Sequence, residues 1–281
     1  MRALRSAVAA LALFATCGAS SAAPARLGSG ACALRPVLIE DFNDMSIAPH
    51  LLGPARWTAH TPWNGDFGDA RFTDPGPDGP FLVKNGVLAI KAWQERSGVW
   101  RSGLIAAADP TGAHEGTRYG YFEARMKMPP GPGTWPAFWL AAAKAPQDPD
   151  RNVEIDVIEY YGKFTDSYHS VLHVWYADRP KSRGAGTLTH VPDGSLVQGF
   201  HTYGVDISPQ AIVFFLDGKK TWSQPTPPEL SGPLYPLVNL ALGSGFPIDK
   251  TPNPSTLLVD YVHVYGRGPG PAGGCPPGLP R

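Results

Sequence analysis

The feature that most constrains this chain is a succession of short apolar or alternating runs, nearly all closed by glycine, proline, or an Asn-Gly or Asp-Gly pair. Runs of this length and composition read as β-strands, here over residues 36–42, 81–83, 87–93, 102–106, 119–128, 133–140, 152–160, 168–175, 200–207, 211–216, 237–242 and 257–265. Asn85-Gly86 and Asp217-Gly218 supply the residues that tolerate the left-handed backbone of a two-residue hairpin. No run of ten residues carries a helical period, and no unit of 20–50 residues repeats. The 32 glycines and 31 prolines are scattered among the apolar runs, so they read as turns rather than disorder. With 281 residues in all, the chain has enough length for one large core. The expected fold class is all-β, a two-sheet antiparallel sandwich of jelly-roll topology with one concave face. It is expected over residues 36–266, after a linker at 24–35 and before a Gly/Pro-rich tail at 267–281. Residues 43–80 and 177–195 read as long loops.

The first 23 residues read as a secretory leader. Arg2 and Arg5 precede an apolar stretch from Ala7 to Ala15, and small residues from Ala19 to Ala23 form the cleavage region. A lipid anchor at Cys17 is disfavoured by Phe14 and Thr16 before it. Removal of the leader leaves Cys32 and Cys275, which an oxidising compartment would pair. Net charge is zero and 17% of residues are charged, which argues against nucleic acid or an anionic membrane as partner. The mature chain is expected to be a secreted, periplasmic or extracellular monomer.

The stretch Asn152 to Tyr160 carries the chemistry. In a regular strand Glu154 and Asp156 share a face, while Glu159, five residues from Glu154, falls on the other. One bulge residue at the apolar pair Val157-Ile158 would keep both of those side chains in the core and return Glu159 to the acidic face. The Cα atoms of the two glutamates would then lie roughly 13 Å apart at ~3.3 Å per residue. Side chains leaning together could bring the carboxyls near the ~5–5.5 Å of a retaining glycoside hydrolase. Taken alone, a row of acids is equally a polar strand face in water.

Its neighbours favour a sugar site. Sugar rings offer apolar faces and equatorial hydroxyls, which aromatic plates and polar side chains match. Trp135 and Trp139 precede the acidic strand, and His173 and Trp175 follow it. If consecutive strands pair, all four flank the acids. Trp135 and Trp139 could equally be core, since large aromatics are usually buried. Trp63 and Phe67 read as pins holding the 43–80 loop to the core, or as one end of a cleft. Glu123 lies on the polar face of the 119–128 strand. It and Asn239 complete the expected substrate contacts Trp135, Trp139, His173 and Trp175. His169 and His173 lack the glutamate of an H-E-x-x-H zinc helix, and no G-x-S-x-G elbow or phosphate-binding glycine loop is present.

The runs YGYFEARMKMP, GTWPAFWL, EIDVIE, FHTYGVD, NLALGSG and LVDYVHVY, in this order over about residues 36–266, resemble glycoside hydrolase family 16. The resemblance implies a β-jelly roll that cuts internal β-linkages of polysaccharides with retention. It makes Glu154 the nucleophile, Glu159 the acid/base and Asp156 an assisting acid hydrogen-bonded to Glu154, in the bulged, laminarinase-like arrangement. No cofactor is implied for catalysis. A structural calcium is implied on the convex side, held by Asp260 with backbone oxygens near the N-terminus. Two positions depart from the family's habit: Phe246 stands where tryptophan is common, and His263 where arginine is common. The expected substrate is a β-1,3- or mixed β-1,3/1,4-glucan. A bacterial exopolysaccharide or a galactan, transglycosylation, and a non-catalytic carbohydrate-binding jelly roll remain as alternatives.

Overall fold

A computed structural model describes residues 34–63, 65–143 and 151–267. The leader with Cys17, most of the linker, Cys32 and Cys275 with their expected bridge, and the tail from residue 268 lie outside the described residues.

Eighteen strands follow in chain order. They are β1 (Leu34–Glu40), β2 (Ile47–Ala48), β3 (Trp57–Ala59), β4 (Arg71–Phe72), β5 (Phe81–Lys84), β6 (Val87–Gln94), β7 (Trp100–Ser102), β8 (Leu104–Ala106) and β9 (Gly120–Lys127). Then come β10 (Thr134–Ala142), β11 (Arg151–Glu159), β12 (Ser167–Tyr176), β13 (Arg183–His190), β14 (His201–Ile207), β15 (Ala211–Leu216), β16 (Lys219–Pro225), β17 (Leu234–Leu242) and β18 (Ser255–Arg267). Among the described residues helix is limited to a 3-10 turn at Arg179–Lys181 and one α-turn at Ser195–Gln198. Both predicted hairpin turns form. Asn85 and Gly86 have φ of 54° and 73°, and Asp217 and Gly218 have 49° and 73°, the left-handed pair that matches strand twist.

The strands make two sheets. One runs β16-β15-β14-β9-β18-β6-β7-β4, with β1 added on β18 and β5 on β6; the other runs β13-β12-β11-β10-β17-β8-β3-β2. Pairing is antiparallel apart from the short β2–β3 and β4–β7 contacts, which are parallel. Alternation along the strands explains the sandwich. On β9, Phe122, Ala124 and Met126 are buried between the sheets, and Tyr121, Glu123, Arg125 and Lys127 face outward. The main core joins such residues from both sheets, including Phe138, Ile155, Val205, Phe214, Leu240 and Val262.

A second apolar cluster lies on the other side of the eight-stranded sheet. Leu104, Ala106, Ala137, Trp139, Ala141, Tyr235, Leu237 and Ala241 pack there with Phe72, and Phe67 from the 43–80 loop closes over them. β10 and β17 are therefore covered on both faces, which is why they read as nearly continuous apolar runs.

The sequence expectation of a loop over 177–195 is corrected: it contains β13, the edge strand beside β12. Its sequence, RGAGTLTH, has glycines where a strand would show apolar alternation, so the usual signal is missing. The last strand also runs two residues past its expected end at 265, to Arg267, whose guanidinium pairs with Asp206 in a nearly solvent-free position. Removing one partner of a buried ion pair strands the other charge. Arg267→Ala should therefore cost about 3–5 kcal/mol in a denaturant titration, and the paired change Asp206→Leu with Arg267→Met should recover most of it.

Candidate active site

β11 lies between β10 and β12 and carries the irregularity on which the site depends. Against β12, Asp156 pairs with Val171 and Glu159 with His169, so three steps on β11 match two on its neighbour. Against β10, Ile158 pairs with Phe138 and Asp156 with Trp139, two steps against one. This is the one-residue bulge expected at Val157-Ile158, and both of those side chains are buried in the main core. Glu154 and Glu159 stay partly exposed, and Asp156 is buried.

Each glutamate receives neutral donors. The Trp175 indole donates Nε1–H to Glu154 Oε2 at 2.8 Å. Glu159 Oε1 accepts from Trp135 Nε1 at 3.1 Å and from the Tyr161 hydroxyl at 3.2 Å. Trp135 and Tyr161 stack with centroids 6.1 Å apart, and His173 stacks on Trp175 at 4.6 Å. His173 is the cross-strand partner of Glu154, and its Nε2 lies 3.4 Å from Asp156 Oδ2. Asp156 Oδ2 has no hydrogen-bond partner among the described residues, and a carboxyl oxygen of Asp156 lies within 4.8 Å of one of Glu154.

Burial is the largest influence on all three acids. It raises Glu154 to about 7, with a further push from the charge of Glu159 and opposition from the Trp175 hydrogen bond. Asp156 is raised well above the carboxylate range by burial and then by both glutamates. Glu159 is raised by burial and held back by Trp135, Tyr161 and the charge of His169. Desolvation thus lifts both glutamates, which also repel each other when both are charged. Burial lowers His173, which favours its neutral form.

The other expected contacts divide. Trp135, His173 and Trp175 lie with the acids. Trp139 is only 6% exposed, packed under Trp63 and Phe67 with ring centroids 6.1 Å from each, and its Nε1–H donates to Asn239 Oδ1 at 2.8 Å. Asn239 is fully buried and its Nδ2 donates to the Trp135 carbonyl at 3.4 Å. Both are corrected from substrate contacts to supports for the strand that carries Trp135, because the 43–80 loop covers that half of the face. Glu123 is corrected too. It lies on the outward face of the ten-stranded sheet, across the sandwich from the acids, and accepts from the Tyr121 and Tyr261 hydroxyls. Trp63 is 51% exposed beside this cover, whereas Phe67 is pinned edge-on to Phe72, Trp135 and Trp139.

Tyr161 is the residue of this cluster that sequence reasoning missed. It follows the strand and showed no periodic signal, although its place next but one to Glu159 was a cue. Phe246 packs edge-on against Tyr161 and Phe164, each at 5.5 Å, so it sits one ring away from the Glu159 donor. His263 faces outward and pairs with Asp41 at 2.8 Å.

Asp260 does not fit the implied calcium. Its carboxylate is held by the Arg125 guanidinium at 2.5 Å, so a cation already occupies its charge. Among the described residues, the cluster of His, Cys, Asp and Glu donors close enough to share an ion is instead Glu154, Asp156 and His173, within 4.8 Å of one another.

A family model for glycosyl hydrolases family 16 matches residues 107–246, which include the acidic strand and its neighbours. The chain is 33% identical over 199 residues to the endo-1,3-1,4-beta-glycanase ExsH of Rhizobium meliloti (strain 1021), covering 66% of this chain and 39% of that protein. It is 30% identical over 214 residues to the glucan endo-1,3-beta-glucosidase A1 of Niallia circulans, covering 65% of this chain and 30% of that protein. The chain therefore spans well under half the length of these relatives. The laminarinase catalytic domain from Thermotoga maritima MSB8 superposes with a TM-score of 0.66 over 83% of this chain and 98% of that one. At 23% identity that likeness speaks for the jelly-roll fold alone. On the family match, the fold and the ordered motifs together, the chain belongs to glycosyl hydrolases family 16.

Proposed function

We propose that the protein is a retaining endo-β-glycanase acting on β-1,3- or mixed β-1,3/1,4-glucan. The observation that carries this is the bulged β11, which presents Glu154 and Glu159 on one face, each with its own neutral donors. The substrate class follows the names of the relatives, which are an endo-1,3-1,4-beta-glycanase and a glucan endo-1,3-beta-glucosidase.

In the first step a Glu154 carboxylate oxygen attacks the anomeric carbon. The bond from that carbon to the glycosidic oxygen breaks, and the leaving oxygen takes the proton of Glu159. Forming the ester removes the charge of Glu154. In the second step Glu159, now a carboxylate, takes a proton from water, whose oxygen attacks the same carbon and releases Glu154. Burial favours the neutral form of Asp156, which lessens the negative charge beside the nucleophile. The Trp175 indole holds Glu154 in place and favours its charged form. Enzymes of the family need no catalytic cofactor.

We also propose that the chain is exported and acts as a monomer, with Cys32 bridged to Cys275, in keeping with its leader-like N-terminus and near-terminal cysteines.

Reducing-end release from laminarin and lichenan, with a ladder of oligosaccharides by chromatography, tests the activity. A soluble, folded protein that binds these glucans without cutting them would instead be a carbohydrate-binding module. Glu154→Gln and Glu159→Gln should each reduce kcat by about four orders of magnitude or more with an unchanged melting temperature, since no other group replaces the nucleophile or the acid.

The donors to each glutamate give opposite limbs of the pH profile. Trp175→Phe removes a hydrogen bond that lowers the Glu154 pKa. That pKa should rise, and the acidic limb of kcat/KM should move to higher pH, because the nucleophile must be deprotonated. Tyr161→Phe should raise the Glu159 pKa, and because the acid must be protonated, the alkaline limb should move to higher pH.

With Arg125 on Asp260, the melting temperature should not change when calcium is chelated or added. A calcium-dependent rise would show that the guanidinium yields to the ion.

A further inference from the structure

Beside Glu159 the face of the sheet holds a small side pocket, which the mechanism above does not use. Tyr161, Phe164, Ser167, His169 and Leu188 enclose about 150 Å³. Strand register places it. His169 is the cross-strand partner of Glu159 on one side and of Leu188 on the other, so Glu159, His169 and Leu188 form a row on the same face. Tyr161, which donates to Glu159, meets His169 edge-on at 5.5 Å.

The lining dictates the chemistry of an occupant. The rings of Tyr161 and Phe164 and the Leu188 side chain are apolar walls. The Tyr161 hydroxyl is committed to Glu159 and the Ser167 hydroxyl to Asp166, at 3.1 Å. The ring nitrogens of His169 make no hydrogen bond among the described residues, although its charge acts on Glu159, so the imidazole N–H is the pocket's available donor. Leu188 is 45% exposed on an edge strand, an apolar side chain with no packing reason to stand there. A pyranose would lose most of its hydroxyl hydrogen bonds in such a space, and it is larger than benzene, the kind of guest that a cavity of roughly 150 Å³ admits. A methyl or short alkyl group joined to one carbonyl satisfies both the walls and the single donor.

We propose that this pocket takes an acyl ester on a sugar next to the bond being cut, so that the enzyme prefers O-acetylated glycan to the bare chain. The proposal rests on the glycanase activity proposed above. Discrimination by a small apolar pocket of this kind is commonly about 10-fold or more in kcat/KM.

The test uses lichenan partially O-acetylated with acetic anhydride, and the same batch after mild alkaline removal of the esters. The full chain should cut the acetylated polymer roughly 10-fold more efficiently, and mass spectrometry of the products should find acetyl groups enriched on the sugars flanking the cut. Leu188→Trp, which fills the pocket from an exposed edge, should abolish the preference and leave cleavage of the de-esterified polymer unchanged. Leu188→Phe, a smaller change, should weaken the preference in the same direction and covers the case in which the tryptophan variant fails to fold. Equal or poorer cleavage of the acetylated polymer, with no effect of either substitution on the ratio, overturns the acyl pocket and leaves the hydrolase standing. Failure of the unaltered protein to cut either polymer overturns both.

Discussion

The site depends on one extra residue in one strand. Without the bulge at Val157-Ile158, β11 must either turn Glu159 into the sandwich or expose an apolar residue beside it. Neither is tolerable, because an uncompensated carboxylate in the core and a misplaced core side chain both destabilise. With the bulge, the core gains two adjacent branched side chains, and the face gains a third acid in line with the other two. Stability and chemistry are therefore fixed by the same local irregularity. The ladders on either side hold the register that the bulge would otherwise let slip, with Glu154 against His173 and Ala141, and Glu159 against His169 and Ala137.

The rest of the face divides around that strand. Over β10, β17 and β8 the loop carrying Trp63, Phe67 and Phe72 supplies a lid of aromatic rings, so Trp139 and Asn239 are sealed beneath it. Over β11, β12 and β13 the described residues supply no such cover, and His169, Val171, His173 and Trp175 are partly exposed. At β13 the residues opposite Val171 and His173 are Gly186 and Gly184. A Cβ on Gly184 would sit 3.0 Å from His173 Nδ1, so the small residue there lets the imidazole lie against the edge strand. The open half is thus the half with room for a polymer.

The sequence made these features legible to different degrees. Paired turn residues and period-two alternation mark most strands, since a half-buried strand must alternate and a two-residue hairpin must adopt positive φ. The bulge was readable because two apolar residues in succession break the alternation of an acidic strand. What could not be read was which outward-facing residues would be covered a second time. Trp139 and Trp135 share one face of one strand, and the cover that buries the first belongs to a loop about 70 residues upstream. Glu123 likewise alternates correctly and lies on the wrong sheet, because alternation gives a face and not which of two sheets carries it. β13 escaped because a glycine-rich edge strand has no apolar face to announce it.

The choice of donors around the acids suits the roles proposed for the two glutamates. In the proposed mechanism each passes between charged and uncharged forms within one turnover, so a lysine or arginine in contact would hold it ionised and oppose that change. Among the described residues no lysine or arginine forms an ion pair with Glu154 or Glu159. Their partners are the indoles of Trp175 and Trp135 and the phenol of Tyr161. These orient the carboxyls and favour the charged form, while burial, the larger force, raises both groups. The same indoles and phenol present flat apolar rings to a sugar. One set of side chains therefore sets the protonation of the acids and forms the surface on which a pyranose can rest, so a substitution that changes sugar contact at Trp135 or Trp175 must also change the pH dependence of the step it serves.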